Sequence, residues 1–358
     1  MNIVFRADAN HNIGMGHVMR CLSIADCYKH YGHNVKFIIA EHEVENLIKE
    51  RGFEVIVLSS GYTMLDEELK IWPKIINIDI LFIDSYYVTP GYLSEIKTKF
   101  NCTIVYIDDL HSFPYPVDVL INYNIYGLDI NYKQIYSDSG TKCPQLLLGP
   151  SFAPLRQSFR RTPPQKQKKL VENILISTGG ADELHLALTF AKTITKYKPQ
   201  KYKYHILLGS LNQDKEAIKA IAAKSETIVL HENVRDMNTL LHSMDIAISA
   251  AGSTLYEICA CGVPLITYIL ADNQIPGATS FEKIGLAINV GDVRDKCRAK
   301  KDLSNTLKAD TITSFLNAIE KLSNDYELRV AMGSRMQKMI DGFGAERIVD
   351  AVAETLSH

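Results

Sequence analysis

A histidine is the side chain whose ordinary charge change lies nearest neutrality, so it can take a proton from water or a hydroxyl. His17 stands where such a group would be used, in "NIGMGHVMRCLSIA" (residues 12–25), after the strand-like "NIVFRAD". The spacing puts it in the first turn of an amphipathic helix, where backbone N–H groups point outward and the dipole is positive, a poor place for inert packing. Gly14 and Gly16 before it would let a substrate approach the backbone closely. Two other readings stay open. One is a capping or packed histidine. The other is half of a dinucleotide fingerprint, but "GMGHVM" has Met19 where the third glycine belongs, and Glu41 follows the next strand only after an alanine.

A second constellation lies in "DIAISAAGSTLYEICACGVP". A strand over 245–250 ends in small residues that open a helix stopped by Gly262. Gly252 lets a phosphate reach N–H groups at the helix N-terminus, and Ser253 and Thr254 add hydroxyl donors. Glu257, three residues on from Thr254, falls on the same helical face and could accept both hydroxyls of a ribose. The plainer alternative is an N-cap, Ser253 or Thr254, with Glu257 completing a capping box. "STGGAD" (177–182) makes another glycine turn, in which Gly179 and Gly180 could face a diphosphate while Asp182 caps the next helix. Together these turns read as a phosphate crevice at strand C-terminal ends.

Other candidates carry less. Asp84, Asp108 and Asp109 each follow a buried strand, but no ligand spacing accompanies them, so they read as loop-capping carboxylates and no metal is expected. His111, His231 and His242 have no convincing partner in sequence. Seven scattered cysteines (Cys21, Cys27, Cys102, Cys143, Cys259, Cys261 and Cys297) form no Cys-x-x-Cys pair, which argues for reduced, buried thiols rather than a disulfide frame or zinc site.

Positioning these residues requires a particular scaffold. Short runs, "NIVFRAD", "NVKFIIA", "EVIVL", "DILFIDS", "TIVYIDD" and "DVLINYN", alternate with helical stretches and are apolar almost throughout, as in parallel strands covered on both faces. "RRTPPQKQKKLV" then breaks the pattern with prolines and polar residues, and reads as an exposed linker. Six more runs follow: "ENILISTGG", "KYHILLG", "TIVLHENV", "DIAISAA", "PLITYI" and "LAINVGD". The chain closes in two helical stretches broken by "DGFG". At 358 residues it suits two domains of roughly 150 residues each. The expected division is an N-terminal Rossmann-like domain over 1–162, a linker over 163–171 and a C-terminal Rossmann-like domain over 172–358. The fold class is α/β, two doubly wound domains facing a cleft that would hold the ligand.

Charge narrows the partners. Lys plus Arg total 39 and Asp plus Glu 41, a net charge of -2, with no basic block to attract nucleic acid. No 18 apolar residues run together, and the first segment carries Arg6 and Asp8 rather than a signal-peptide core, so neither a membrane nor export is expected. The expectation is a cytoplasmic protein, working as a monomer on a small molecule.

These residues resemble the UDP-sugar hydrolases of the pseudaminic acid pathway, within the glycosyltransferase-B (GT-B) superfamily that includes the murein glycosyltransferases. The resemblance is strongest in "FRADANHNIGMGHVMRCLSIA" and extends through "LFIDSYY", "VLINYNIYG", "LLLGPSFAPLR", "ISTGGAD", "SAAGSTLYE" and "DNQ", to about residue 290, with "MIDGFGAERI" also familiar. It implies the GT-B fold and cleavage of UDP-2,4-diacetamido-2,4,6-trideoxy-β-L-altropyranose to UDP and free sugar, without metal or cofactor. Water would attack the anomeric carbon with inversion, activated by His17. It further assigns Tyr86 to positioning of sugar or water, Asn273 to the sugar or diphosphate, Glu257 to the ribose and Ser253 to the phosphates. Asp8, Gly14, Gly16, Gly179, Gly180, Gly252 and Thr254 complete the binding set. Two departures stand out: Tyr87 follows Tyr86, so either ring could face the substrate, and Ser85 occupies a position held by histidine in some relatives. A GT-B glycosyltransferase using a UDP-sugar donor is the alternative, and a non-catalytic nucleotide-sugar binder a third.

Overall fold

The computed structural model describes residues 1–72, 77–197, 201–209, 211–294 and 309–356; Cys297 lies outside them. The chain forms two compact units, Met1–Gln157 with Gly342–His358, and Ser158–Asp341.

The first unit holds seven parallel strands: β1 (Asn2–Ala7), β2 (Asn34–Ile39), β3 (Glu54–Val57), β4 (Ile80–Asp84), β5 (Thr103–Ile107), β6 (Val119–Asn122) and β7 (Gln145–Leu148). Their order is β3-β2-β1-β4-β5-β6-β7. Helices connect most of them, as parallel pairing demands. Register follows the aromatic pattern: Phe5 pairs with Phe37 on one side and Phe82 on the other, and the rings stack at 5.1 and 4.7 Å between centroids. The same register sets Ala7 opposite Asp84, so β1 and β4 end level.

The second unit repeats the plan with β8 (Asn173–Ser177), β9 (Lys203–Leu208), β10 (Ile228–Glu232), β11 (Ile246–Ala250), β12 (Leu265–Ile269) and β13 (Ile288–Asp292), ordered β10-β9-β8-β11-β12-β13. Every residue of β4, β11 and β12 is buried, which is why these strands read as unbroken apolar runs. In each sheet the winding reverses beside the first strand, between β1 and β4 and between β8 and β11. Open α/β sheets bind ligands at the carboxyl ends of strands on either side of such a reversal.

Three features differ from the sequence reading. Strand β7, "QLLL", was not expected; at four residues it offers no periodicity to read. The stretch 163–171 is no loose linker but is tied to the second unit: Gln165 Nε2 donates to the Met244 carbonyl (3.1 Å), Gln167 Nε2 to Gly262 (3.0 Å), and Arg329 Nη2 to Lys168 (2.6 Å) and Lys169 (3.0 Å). Finally, residues 342–358 belong with the first unit rather than the second. The helix Gly344–Thr355 buries Ala345, Ile348, Val349 and Val352 there, and Arg347 Nη1 donates to the Ser151 carbonyl at 2.9 Å. Gly344 lies so close to the Ala153 backbone that no Cβ fits, which fixes where the helix begins. Among the described residues no helix is long and apolar enough to cross a membrane.

Candidate functional site

The loop that delivers His17 is built by one asparagine. The Asn10 side-chain oxygen accepts from the backbone N–H of Asn12 (2.9 Å) and Ile13 (3.1 Å), and its carbonyl accepts from Gly14 (2.9 Å). Gly14 sits at φ +70°, which L side chains adopt only at a cost, and open space surrounds the place of its missing Cβ. The helix Gly16–His30 then begins with Gly16, and no side chain caps it. His17 is therefore not a capping residue.

His17 is 4% exposed and its Nδ1 lies 2.8 Å from Asp84 Oδ1, at the end of β4. Burial alone would raise the Asp84 carboxyl, but Arg20 first and His17 next overcome it and hold it well below the ordinary carboxylate range. An ionised carboxylate can only accept, so Nδ1 carries a proton, and in the neutral form of the ring the lone pair falls on Nε2. Nε2 is buried and has no hydrogen-bond partner among the described residues. A buried, unpartnered polar atom is costly, and such exceptions call for a functional explanation. His17 also lines a cavity of about 10 Å³ with Asp8, Asp84, Tyr86 and their neighbours, about the space of one water.

Of the two tyrosines, it is Tyr86 that meets His17, edge-on with ring centroids 4.4 Å apart. Tyr87 is 39% exposed and its ring packs against Tyr62 instead. The Tyr86 hydroxyl donates to Asp109 Oδ2 at 2.9 Å. Burial first, then the Asp109 charge, push this phenol well above its usual range, so it keeps its proton.

Behind both rings lies Arg20, which sequence reasoning missed. Its Nε and Nη2 hold the two oxygens of Asp84 at 2.5 and 2.6 Å, while Nη1 reaches Asp109 Oδ2 and the Tyr123 hydroxyl, both at 2.8 Å. Burial works against its charge, but Asp109 and Asp84 more than offset this and keep it protonated. The available signal was its place one turn after His17, on the same helical face. Asp108 behaves as the loop-capping carboxylate expected, accepting from the N–H groups of Leu110 (2.9 Å) and His111 (2.8 Å). Asp8 is engaged at both oxygens, by Arg6 Nη1 (2.5 Å) and the Ala40 N–H (2.7 Å), and so ties the ends of β1 and β2. The first unit thus gathers Asp8, Gly14, Gly16, His17 and Tyr86 at the β1/β4 reversal.

The remaining candidates gather in the second unit. Gly179 (φ +89°) and Gly180 follow β8, and Gly252, Ser253 and Thr254 follow β11, so they flank its own reversal point. The Asp182 carboxylate accepts from Leu186 and Ala187 N–H, both 2.9 Å, capping the next helix as expected. Burial raises it to about 6 against the pull of those bonds. Ser253 occupies the N-cap position of the helix Thr254–Cys261, yet its side chain makes no capping bond. Capping by Ser253 thus lacks its hydrogen bond, and this hydroxyl is not consumed by it. Gly252 has nothing within 4 Å of where a Cβ would be, and Glu257 lies half-buried in the first turn. Asn273 sits in the short turn Asp272–Gln274 beyond β12, half-exposed.

Comparison with known proteins agrees with this architecture. Residues 155–327 match the glycosyltransferase family 28 C-terminal domain. The chain is 26% identical over 359 residues to the spore coat polysaccharide biosynthesis protein SpsG of Bacillus subtilis, covering 97% of this chain and 96% of that one. It is also 26% identical over 293 residues to the UDP-2,4-diacetamido-2,4,6-trideoxy-beta-L-altropyranose hydrolase of Campylobacter jejuni, covering 80% of this chain and 98% of the other. Among solved structures, Acinetobacter baumannii MurG superposes with a TM-score of 0.60 at 14% identity over 99% of both chains. The fold is accordingly GT-B, two Rossmann-like units with parallel sheets, and the second carries the family 28 C-terminal domain match.

Proposed function

We propose that the protein is a UDP-sugar hydrolase that cleaves UDP-2,4-diacetamido-2,4,6-trideoxy-β-L-altropyranose by attack of water at the anomeric carbon. The observation that carries this is the His17–Asp84 pair, with a bare, buried Nε2 and a one-water cavity that His17 lines. Water held there gives a proton to Nε2 while its oxygen bonds to the anomeric carbon and the bond to the UDP oxygen breaks. Asp84 steadies the imidazolium so formed. Direct attack by water activated by a single base predicts inversion, and the departing diphosphate carries away the bonding electrons.

The negative charge growing on UDP would be met by the helix N-terminus at Gly252, Ser253 and Thr254, with Gly179 and Gly180 beside it, and without a metal. Glu257 would accept from the ribose hydroxyls and Asn273 would contact the sugar or diphosphate. The similarity to the Campylobacter jejuni hydrolase supports the sugar assignment. The match to a glycosyltransferase family 28 domain favours a second reading, a transferase in which His17 deprotonates an acceptor hydroxyl instead of water.

The deciding assay is UDP release from this substrate with chelator present and no acceptor. The hydrolase predicts steady release that falls by about 10²–10⁴-fold in His17→Asn. Release that begins only when an acceptor is added would favour the transferase. Tight UDP binding with no turnover in either case would leave a binder.

A further inference from the structure

Sequence and resemblance leave Arg20 without a role, although it is 6% exposed and donates to Asp84, Asp109 and Tyr123. A buried guanidinium is costly to desolvate unless its donors are satisfied, and this one spends them on two carboxylates at the ends of adjacent strands. Asp84 closes β4 and Asp109 follows β5. Asp84 in turn holds His17 Nδ1 at 2.8 Å, and Asp109 holds the Tyr86 hydroxyl at 2.9 Å. The two chains of contact meet again, since the Tyr86 ring packs on the His17 ring. His17, Asp84, Arg20, Asp109 and Tyr86 therefore form a closed loop.

We propose that Arg20 is a positioning residue for the reaction, which fixes the His17 imidazole by two routes: through Asp84 at its Nδ1 and through Asp109 and the Tyr86 ring, which meets the imidazole in a T-shaped contact. This rests on the reading of His17 as the base. The planar fork is what the geometry demands, because Nε and Nη2 grip Asp84 while Nη1 points the other way to Asp109. A lysine ammonium is a point charge that cannot span both carboxylates in this geometry. The balance of charge also suits proton transfer. Two carboxylates around one guanidinium leave a net negative charge, which the imidazolium neutralises when His17 takes its proton.

The test uses the full-length protein with Arg20→Lys as the main variant. Loss of the fork is expected to lower kcat by about 10²-fold, the scale on which small misplacement of a reacting group acts, with KM little changed. In ligand-free protein at a pH where the imidazole is neutral, nitrogen NMR should show wild-type His17 protonated at Nδ1 and bare at Nε2, and a mixture of tautomers in Arg20→Lys. Wild-type kcat together with an unchanged imidazole spectrum would overturn the proposal. Should Arg20→Lys fail to fold, Asp109→Asn takes its place: it leaves Asp84 intact and is expected to keep the tautomer but lower kcat, and an unchanged kcat there would overturn the proposal equally. The spectrum needs no substrate, so absence of UDP release from wild type would remove the hydrolase reading while the Arg20 assignment is still decided by the tautomer.

Discussion

At the scale of single residues, the proposed chemistry depends on an imidazole held at Nδ1 by Asp84 with no partner at Nε2 among the described residues. Asp84→Asn should therefore damage activity by a different route from His17→Asn. An amide can donate to Nδ1 as well as accept, so the wrong tautomer becomes available and kcat is expected to drop by about 10²-fold or more while UDP still binds. Calorimetric titration with UDP alongside the turnover assay checks both halves; a loss of UDP affinity equal to the loss of rate would contradict the assignment. His17 itself was legible in the sequence because a histidine after Gly-x-Gly at a helix start is an unusual choice. Its partners were not. Asp84 and Asp109 lie 64 and 89 residues from Arg20, and only the β1-β4-β5 order brings these strand ends together.

At the scale of elements, glycine turns at strand ends set the two candidate surfaces. Gly252 adopts no left-handed backbone and has open space where a Cβ would stand, so Gly252→Val should leave the melting temperature near wild type yet weaken UDP binding by tenfold or more, about 1.4 kcal/mol or above. Equal UDP affinity would mean that no phosphate approaches this turn. Asp182 supplies a pH prediction. Its folded-state pKa, raised to about 6 by burial, lies above the unfolded value of about 4. Ionising it therefore penalises the folded state. The stability that this group contributes is fully present below about pH 4, is lost as pH rises towards about 6 and is constant above, a change on the order of 3 kcal/mol. The stability difference between wild type and Asp182→Asn, followed by urea denaturation, should decline through that window, and a difference independent of pH would contradict it. Twelve strands were readable as apolar runs because both faces of each sheet are covered. Strand β7 was too short, and the return of the helix Gly344–Thr355 to the first unit was invisible because an apolar stripe does not name the surface it will cover.

At the scale of the whole molecule, the chain carries two sets of candidate residues on two units, each set at the reversal point of its own sheet. The GT-B fold alone does not separate hydrolase from transferase, since both need a nucleotide-sugar and a base and differ only in what the base deprotonates.

The most direct test of that difference is turnover in oxygen-18 water without acceptor, with mass spectrometry of both products. Attack by water on the anomeric carbon predicts UDP free of the label, one labelled oxygen in the sugar analysed before ring opening exchanges it, and the same pattern at a rate lower by about 10²–10⁴-fold in His17→Asn. Label in the β-phosphate of UDP, or an undiminished rate in the variant, would contradict the account.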